Sequence, residues 1–351
     1  MRQIILTFLK LPPRLWFVLA TLMPCALSAQ PSHNQEEHLM AAAQSVSPDE
    51  QFKIARAFEL GLGVKPDMAR ATQLLLLAAN HGSPDAQTEI AIIYRDGIGV
   101  PKDEPAAFRW MQRAASSNYP PAEFGLGTLY LMASSGKQDA GEASRWLARA
   151  AEHGFVSAQV NLGILFWNGW GVERDLSKAE HLIREAAQKH SPMAEFLLGT
   201  MYETGETLPR NMVLAANWYE RAVKQGYAPA QNNLGSLYIQ GNGVSRDLDK
   251  GTELHRLAAE QRNVAACANL ARFYSKSHGS PPDYALAYFW AQVTTQTTNT
   301  KSGPLTDAFL LEIRNRLNGA EIAQVEAEVA DWLQSHPVKK APEDFVDFNG
   351  R

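Results

Sequence analysis

Residues 158–187, AQVNLGILFWNGWGVERDLSKAEHLIREAA, contain two short amphipathic segments on either side of a glycine turn. In the first segment Ala158, Leu162 and Leu165 are spaced i, i+4, i+7, which places them on one face of a helix. The turn at residues 169–172 has two glycines, which tolerate backbone conformations that other residues resist. This stretch predicts a helix, a tight turn and a second helix.

The second segment has both a start signal and an apolar face. Asp175 precedes it, and aspartate is a preferred N-cap because its carboxylate accepts a hydrogen bond from a helical amide that lacks a partner. Ala179, Ile183 and Ala186 then recur at helical spacing. Second helices of this kind are expected to end at a residue with a left-handed backbone conformation. Along the chain these residues are Gly82, Asn118, Gly154 and Gly226.

The same pattern recurs along the chain every 36 residues. We call the residues at one repeat position, 36 apart, a slot. One slot holds alanine: Ala86, Ala122, Ala158, Ala194, Ala230 and Ala266. Another holds aromatic residues: Tyr94, Tyr130, Phe166, Tyr202, Tyr238 and Tyr274. A third holds helix-capping residues: Asp67, Asp103, Asp139, Asp175, Asn211, Asp247 and Asp283.

A single helix pair cannot bury both of its apolar faces, whereas stacked pairs bury them continuously. The predicted fold is therefore all-α, a right-handed superhelical solenoid of stacked helix-turn-helix repeats of 36 residues. Seven repeats are expected to fill residues 50–292. The composition, with 45% hydrophobic and 20% charged residues, is typical of a folded globular chain.

The repeat pattern A-x₃-LG-x₂-Y-x₂-G-x-GV-x₃-D-x₃-A-x₂-W-x₃-AA resembles the Sel-one-like repeat (SLR) family, a relative of the tetratricopeptide repeats. Residues 158–187 match it with Leu182 in place of the tryptophan, and other repeats supply Trp110, Trp146, Trp218 and Trp290 there. Repeats three and five depart from the glycine turn, at Met132–Gly136 and Gly205–Leu208. The resemblance implies a protein that assembles or regulates protein complexes, including those of the bacterial envelope.

The N-terminal segment, residues 1–29, is typical of a secretory signal peptide. It carries three basic residues and no acidic residue, followed by an apolar run of fifteen at residues 15–29, which is short for a bilayer-spanning helix of about 20 residues. Cleavage is expected after Ser28 or Ala29. An uncleaved anchor and lipidation at Cys25 are the alternatives. The predicted location is exported, either periplasmic or secreted, with membrane contact only through this segment.

The remaining flanks are predicted from composition and hydrophobic spacing. Residues 30–49 are expected to form a polar linker with one helical turn around Leu39 to Ala43, and residues 293–304 a polar loop. Residues 305–335 contain two apolar-periodic segments that predict a closing pair of helices over the last apolar face. Residues 336–351 are expected to form a loose tail.

The sequence contains no HExxH, CxxC, P-loop or Gly-x-Ser-x-Gly motif. The net charge of −4 argues against nucleic-acid binding, and scattered histidines and two cysteines argue against a metal site. We predict no cofactor and no catalytic residue. Ser134-Ser135-Gly136-Lys137, Lys301-Ser302-Gly303 and Ser32-His33-Asn34 match the three motifs of penicillin-binding enzymes. However, the serine–lysine motif falls in a turn between helices rather than at the start of a buried helix.

Residues that break the repeat are the candidates for partner binding. Trp167 and Trp170 flank the turn of repeat four, where other repeats hold unrelated residues. Tryptophan is typical of binding hot spots, and local packing is the alternative. Asn161, Asn233 and Asn269 share a slot in the first helix. They are candidates to clamp an extended peptide, and a hydrogen bond inside the repeat is the alternative.

The sequence as a whole favours an exported, non-enzymatic adaptor that binds an unidentified protein or peptide partner. Two alternatives stay open. One is an envelope hydrolase that acts on β-lactams or peptidoglycan, and the other is a module that binds polysaccharide through exposed tryptophans.

Overall fold

A computed structural model describes residues 33–132, 139–278, 280–297 and 304–337. The secondary structure of these residues is helical. The helices are α1 His33–Ala43, α2 Pro48–Leu60, α3 Met68–Asn80, α4 Pro84–Asp96, α5 Glu104–Ala115, α6 Pro120–Met132, α7 Ala140–Glu152, α8 Val156–Asn168, α9 Leu176–Gln188, α10 Pro192–Thr204, α11 Met212–Lys224, α12 Ala228–Gln240, α13 Leu248–Glu260, α14 Val264–Tyr274, α15 Tyr284–Thr297, α16 Asp307–Arg314 and α17 Gly319–Ser335.

The helices fall into two compact units, divided between Phe155 and Val156. Repeats one to three, α2/α3 to α6/α7, belong to the first unit. Repeats four to seven, α8/α9 to α14/α15, belong to the second unit together with α16 and α17. Within each unit the two helices of a repeat pack together, and the second helix packs on the first helix of the next repeat. This confirms the predicted all-helical fold of stacked helix pairs.

The capping slot closes every repeat in the same way. The backbone N–H of Asp103 donates to the carbonyl of Tyr94 at 2.9 Å, and its carboxylate accepts from the N–H of Ala106 at 2.8 Å. Equivalent backbone bonds join the aromatic and capping slots in the other repeats, as in Asp175 to Phe166 and Asp247 to Tyr238. One residue therefore ties the end of the first helix to the start of the second, as the sequence predicts.

The alanine slot lets the helices approach closely. All six of its members, Ala86 to Ala266, are fully buried.

The second glycine in the turn of repeat six is required by a close backbone approach. Gly243 has φ +71°, and a Cβ there would lie 2.3 Å from the carbonyl oxygen of Met212 at the start of α11. The backbone of one turn therefore lies directly on the preceding repeat.

The first helices also carry a buried polar slot, Gln51, Gln87, Glu123, Gln159, Glu195 and Gln231. Most of these side chains bond to the residue 30 positions further on: Gln51 with His81, Glu123 with His153, Gln159 with Lys189, Glu195 with Gln225 and Gln231 with Gln261. The two glutamates each have an arginine as well. Arg221 lies 2.8 Å from Glu195, and Arg149 lies 2.9 Å from Glu123.

The predicted linker at residues 30–49 is wrong. Helix α1 occupies residues 33–43, and its Leu39 and Ala43 are buried against repeat one. Glu36 forms an ion pair with Arg70 at 2.6 Å, and Gln51 donates to the carbonyl of Ala43 at 2.9 Å. The prediction failed because residues 30–49 are mostly polar, yet their few apolar residues form a short stripe on α1. This stripe covers the apolar face of the first repeat.

At the other end, part of the predicted loop is also wrong. Helix α15 extends to Thr297, because Val293 and Thr294 are buried and prolong its packed face into residues 293–304. Helices α16 and α17 then occupy residues 305–335. Arg262, in the left-handed slot with φ 63°, donates to the carbonyl of Leu333 at 2.8 Å and holds the end of α17. The predicted signal peptide and residues 338–351 of the predicted tail lie outside the described residues.

We expect Arg221→Ala to lower the free energy of unfolding by about 3 kcal/mol, because it removes the cation from the buried Glu195 carboxylate. Urea unfolding followed by circular dichroism measures the change. Arg256→Ala removes exposed ion pairs with Glu253 and Glu260 and should cost less than about 1 kcal/mol.

A compensating pair checks the cause. Repeat six carries Gln231 and Leu257 in the slots of Glu195 and Arg221. The double variant Glu195→Gln/Arg221→Leu should therefore recover most of the lost stability. Equal losses in the single and double variants would contradict a role for the buried charge.

Candidate functional site

A chain of hydrogen-bonded polar side chains crosses repeats five to seven. We call it the polar track, and it comprises Thr200, Glu203, Tyr219, Asn232, Asn233 and Asn269. It joins residues of α10, α11, α12 and α14, all within the second unit. Two of the predicted partner-binding asparagines, Asn233 and Asn269, belong to it.

Tyr219 is the centre of the polar track. Its side chain is fully buried, and its hydroxyl donates to Oε2 of Glu203 at 2.5 Å. The hydroxyl oxygen of Tyr219 also accepts from Nδ2 of Asn233 at 3.1 Å and lies 3.2 Å from Oγ1 of Thr200. Burial, and then the hydrogen bond to Glu203, raise the pKa of Tyr219 far above its usual range. The hydroxyl therefore stays a neutral donor at any physiological pH.

The asparagines continue the polar track toward repeat seven. Nδ2 of Asn232 donates to Oδ1 of Asn233 at 3.1 Å, and Nδ2 of Asn269 donates to Oδ1 of Asn232 at 3.0 Å. Arg272 then donates to Oδ1 of Asn269 at 3.4 Å. Each slot asparagine therefore forms a hydrogen bond inside its own repeat, as the sequence alternative expected, and a second hydrogen bond to the preceding repeat.

Sequence reasoning missed Tyr219 and Asn232, although both depart from their slots. The slot of Tyr219 otherwise holds Leu75, Met111, Leu147, Ile183, His255 and Ala291. The slot of Asn232 holds Thr88, Phe124, Val160, Phe196 and Ala268. Gly199 in α10 makes room for the ring, since a Cβ there would lie 2.5 Å from Tyr219, but glycines also face this slot in repeats three, four and six. Self-alignment of the core slots was the signal that could have found both residues.

Asn161 lies apart from the polar track. It is fully buried in α8, and neither atom of its carboxamide has a hydrogen-bond partner among the described residues. Because it is buried, its amide is not presented on the surface as Asn233 and Asn269 are. Its role in partner binding stays a prediction.

The two tryptophans are placed differently. Trp167 is half-buried, packs against the core of repeats four and five, and donates from Nε1 to Oε2 of Glu206 at 3.2 Å. Arg174 forms an ion pair with Glu206 and donates to the carbonyl of Trp167 at 2.9 Å. Trp167 therefore makes local packing contacts, and the roles of Trp167 and Trp170 in partner binding stay predictions. Trp170, at the tip of the turn, is 38% exposed.

Neither a metal site nor a membrane span is found in the part of the chain that the structure describes. No group of three or more His, Cys, Asp or Glu side chains there is arranged to hold a metal ion. No described helix has the length and apolar character needed to cross a bilayer. Four residues of these motifs lie outside the described residues: Ser32, Ser134, Lys137 and Lys301. The hydrolase motifs are therefore not tested.

These features define the class of the protein as a helical-repeat protein with stacked helix pairs. The Sel1 repeat model matches seven segments of the sequence, at residues 51–83, 84–119, 120–155, 156–191, 192–227, 228–263 and 264–292. The chain therefore belongs to the Sel1 repeat family, whose members are generally protein-interaction scaffolds.

A solved structure agrees with this assignment. A Sel1 repeat protein from Oxalobacter formigenes is 29% identical, with a TM-score of 0.63 over 76% of this chain and 78% of that one. The c5321 protein of uropathogenic Escherichia coli, a protective antigen with an SLR fold, is 20% identical, with a TM-score of 0.37 over 86% and 87% of the two chains. We draw nothing from this looser match. Comparison with curated proteins gave no match.

We expect Tyr219→Phe to destabilise the protein by about 2 kcal/mol, because it leaves the Glu203 carboxylate and the Asn233 amide without their shared partner. Tyr227→Phe is the matched control. Burial raises the pKa of Tyr227 to about 12, yet no hydrogen bond joins its side-chain hydroxyl to the described residues. Urea unfolding of both variants measures the difference, and equal effects would show that the polar track adds no stability.

A buried histidine makes stability depend on pH. His255 is 1% exposed, and burial lowers its pKa from 6.5 to about 4. The unfolded chain binds a proton below pH 6.5 while the folded chain resists it until pH 4. His255 therefore favours the folded state fully above pH 6.5, and about 3 kcal/mol is lost as the pH falls toward 4.

The slot of His255 supplies the test variant. Leucine occupies it as Leu147, opposite Gly127, as His255 lies opposite Gly235. His255→Leu should therefore fold and should lose less stability than the wild type between pH 7 and pH 4.5. His181→Gln, on a side chain that is 73% exposed, should leave the pH profile unchanged. A profile that is the same in all three proteins would contradict the role of His255.

Proposed function

We propose that this chain is an exported, non-enzymatic adaptor of the bacterial envelope that binds a protein or peptide partner along the polar track. The family supplies the general role of interaction scaffold. The leader-like composition of residues 1–29 supports export to the periplasm or beyond. The arrangement of the second unit supports the choice of surface.

The observation that carries this proposal is the polar track itself. Two of its members, Tyr219 and Asn232, occupy slots that hold apolar residues in most other repeats, so the fold does not require polar groups there. Glu203, Asn233 and Asn269 are only half-buried, so their remaining donor and acceptor capacity reaches the surface. Carboxamides can bond both the N–H and the C=O groups of an extended peptide. Binding of this kind needs positioning and no reaction centre.

The internal bonds of the polar track prepare it for binding. Tyr219 orients Glu203 and Asn233, and Asn232 orients Asn233 and Asn269. Side chains held in this way lose little conformational entropy when a partner binds. Glu203 forms no ion pair with Lys, Arg or His within the ranges that the structure covers, so a basic group of the partner can approach its carboxylate.

The full chain, expressed with its own leader and a C-terminal tag in the source bacterium, provides the test. Chemical cross-linking and mass spectrometry would identify bound envelope proteins. The double variant Asn233→Leu/Asn269→Leu should lose the partner but keep the fold, since Leu197 occupies the same slot. Asn217→Leu, an equal change on the exposed side of α11, is the control and should keep the partner.

Two results would contradict this proposal. Retention of the partner by the double variant would rule out the polar track, and absence of any specific partner of the folded protein would rule out the adaptor. The same preparation tests export. An intact mass that corresponds to a chain starting at residue 29 or 30 is expected, whereas the full-length mass in the cytoplasm would exclude it.

A further inference from the structure

A groove lies between α15 and α17, away from the polar track. Its cavity volume is about 550 Å³, and it is lined by Asp283, Ala285, Leu286, Phe289, Glu321, Gln324, Val325 and Glu328. Leu286, Phe289 and Val325 supply an apolar floor. Three carboxylates and one carboxamide surround that floor.

Two residues of the floor break the repeat pattern. The slot of Leu286 otherwise holds Arg70, Ala106, Glu142, Lys178, Leu214 and Lys250. The slot of Phe289 otherwise holds Gln73, Arg109, Arg145, His181, Asn217 and Glu253. The Phe289 slot is exposed on the other second helices, and the Leu286 slot is exposed or half-buried on all of them except at Ala106, which is buried. Repeat seven therefore places apolar side chains where the array has mostly polar ones. Helix α17 covers them in part, since Trp332 contacts Phe289 edge to face with centroids 6.3 Å apart.

The rim of the groove carries negative charge and no positive charge. Asp283 accepts from the backbone of Leu286, Glu321 from the backbone of Asn318, and Glu328 from the side chain of Gln324. These donors are all neutral. None of the three carboxylates forms an ion pair with a basic side chain in the described ranges. An apolar floor inside an acidic rim is complementary to an apolar side chain flanked by basic ones.

We propose that this groove binds a partner segment that presents Leu or Phe side chains between Lys or Arg residues. The apolar side chains occupy the floor, and the cations lie against Asp283, Glu321 and Glu328. The site does not depend on the polar track, so one protein can hold two partners, or two parts of one partner.

Peptides of defined charge test the proposal on the full chain. The probe is fluorescein-labelled Lys-Lys-Leu-Phe-Lys-Lys-amide, measured by fluorescence anisotropy at about 20 mM and about 300 mM salt. Binding should weaken as salt rises. Glu-Glu-Leu-Phe-Glu-Glu-amide, which reverses the charge, and Lys-Lys-Gly-Gly-Lys-Lys-amide, which lacks the apolar pair, should both bind at least about tenfold more weakly.

The array itself supplies matched variants. Leu286→Lys places in the groove the residue that repeats four and six carry in that slot as Lys178 and Lys250. It should weaken binding of the Lys-Leu-Phe-Lys probe by about tenfold or more. Leu214→Lys is the control, because Leu214 occupies the same slot in repeat five, is 37% exposed and lies outside the groove. It should leave binding unchanged.

A second variant keeps the test decisive if Leu286→Lys disturbs α17. Glu328→Gln removes one charge from an exposed side chain and should weaken binding about twofold to fivefold at low salt, with a smaller effect at high salt. Equal binding by wild type and both groove variants would overturn the proposal. So would equal binding of the three peptides. Loss of the polar-track partner with peptide binding intact would affect only the proposed function.

Discussion

The capping residue between the two helices of each repeat is the constraint on which the rest of the structure depends. Its N–H is bonded to the last turn of the first helix, and its side chain is bonded to the first turn of the second. Together these bonds fix the position of one helix relative to the other. Only with that geometry repeated at every capping residue can the alanine and glycine positions of neighbouring helices pack in register and exclude water.

Because the backbone is the same in each repeat, the residues that occupy one slot in different repeats can be compared directly. In repeats three to six, a glycine of the first helix faces Leu147, Ile183, Tyr219 or His255 of the second. Size varies little among these residues, but polarity varies strongly. The two polar members occur in neighbouring repeats, so the change of chemistry is concentrated in one part of the second unit. A buried hydroxyl and a buried imidazole cost stability unless they are bonded or serve a function.

The sequence was sufficient to predict the helices of the repeats, their caps and their number, because these depend on local signals repeated seven times. It was insufficient for α1, whose stripe of Leu39 and Ala43 occurs once and has no repeat to support it. It also missed Tyr219 and Asn232. Comparison of their slots singles out both residues, but their hydrogen bonds join different helices, so periodicity alone does not reveal the partners of these bonds.

The two surfaces proposed for the second unit, the polar track and the groove between α15 and α17, depart from the repeat pattern in opposite ways. In the polar track, Tyr219 and Asn232 occupy slots that are mostly apolar elsewhere, and in the groove Leu286 and Phe289 occupy slots that are mostly polar elsewhere. Neither change is needed to stack a helix pair, because other repeats stack without it. Both surfaces also carry carboxylates without ion-pair partners among the described residues, at Glu203 and around Leu286. A partner with basic side chains therefore fits both places, and two weak sites on one rigid scaffold raise affinity through effective concentration.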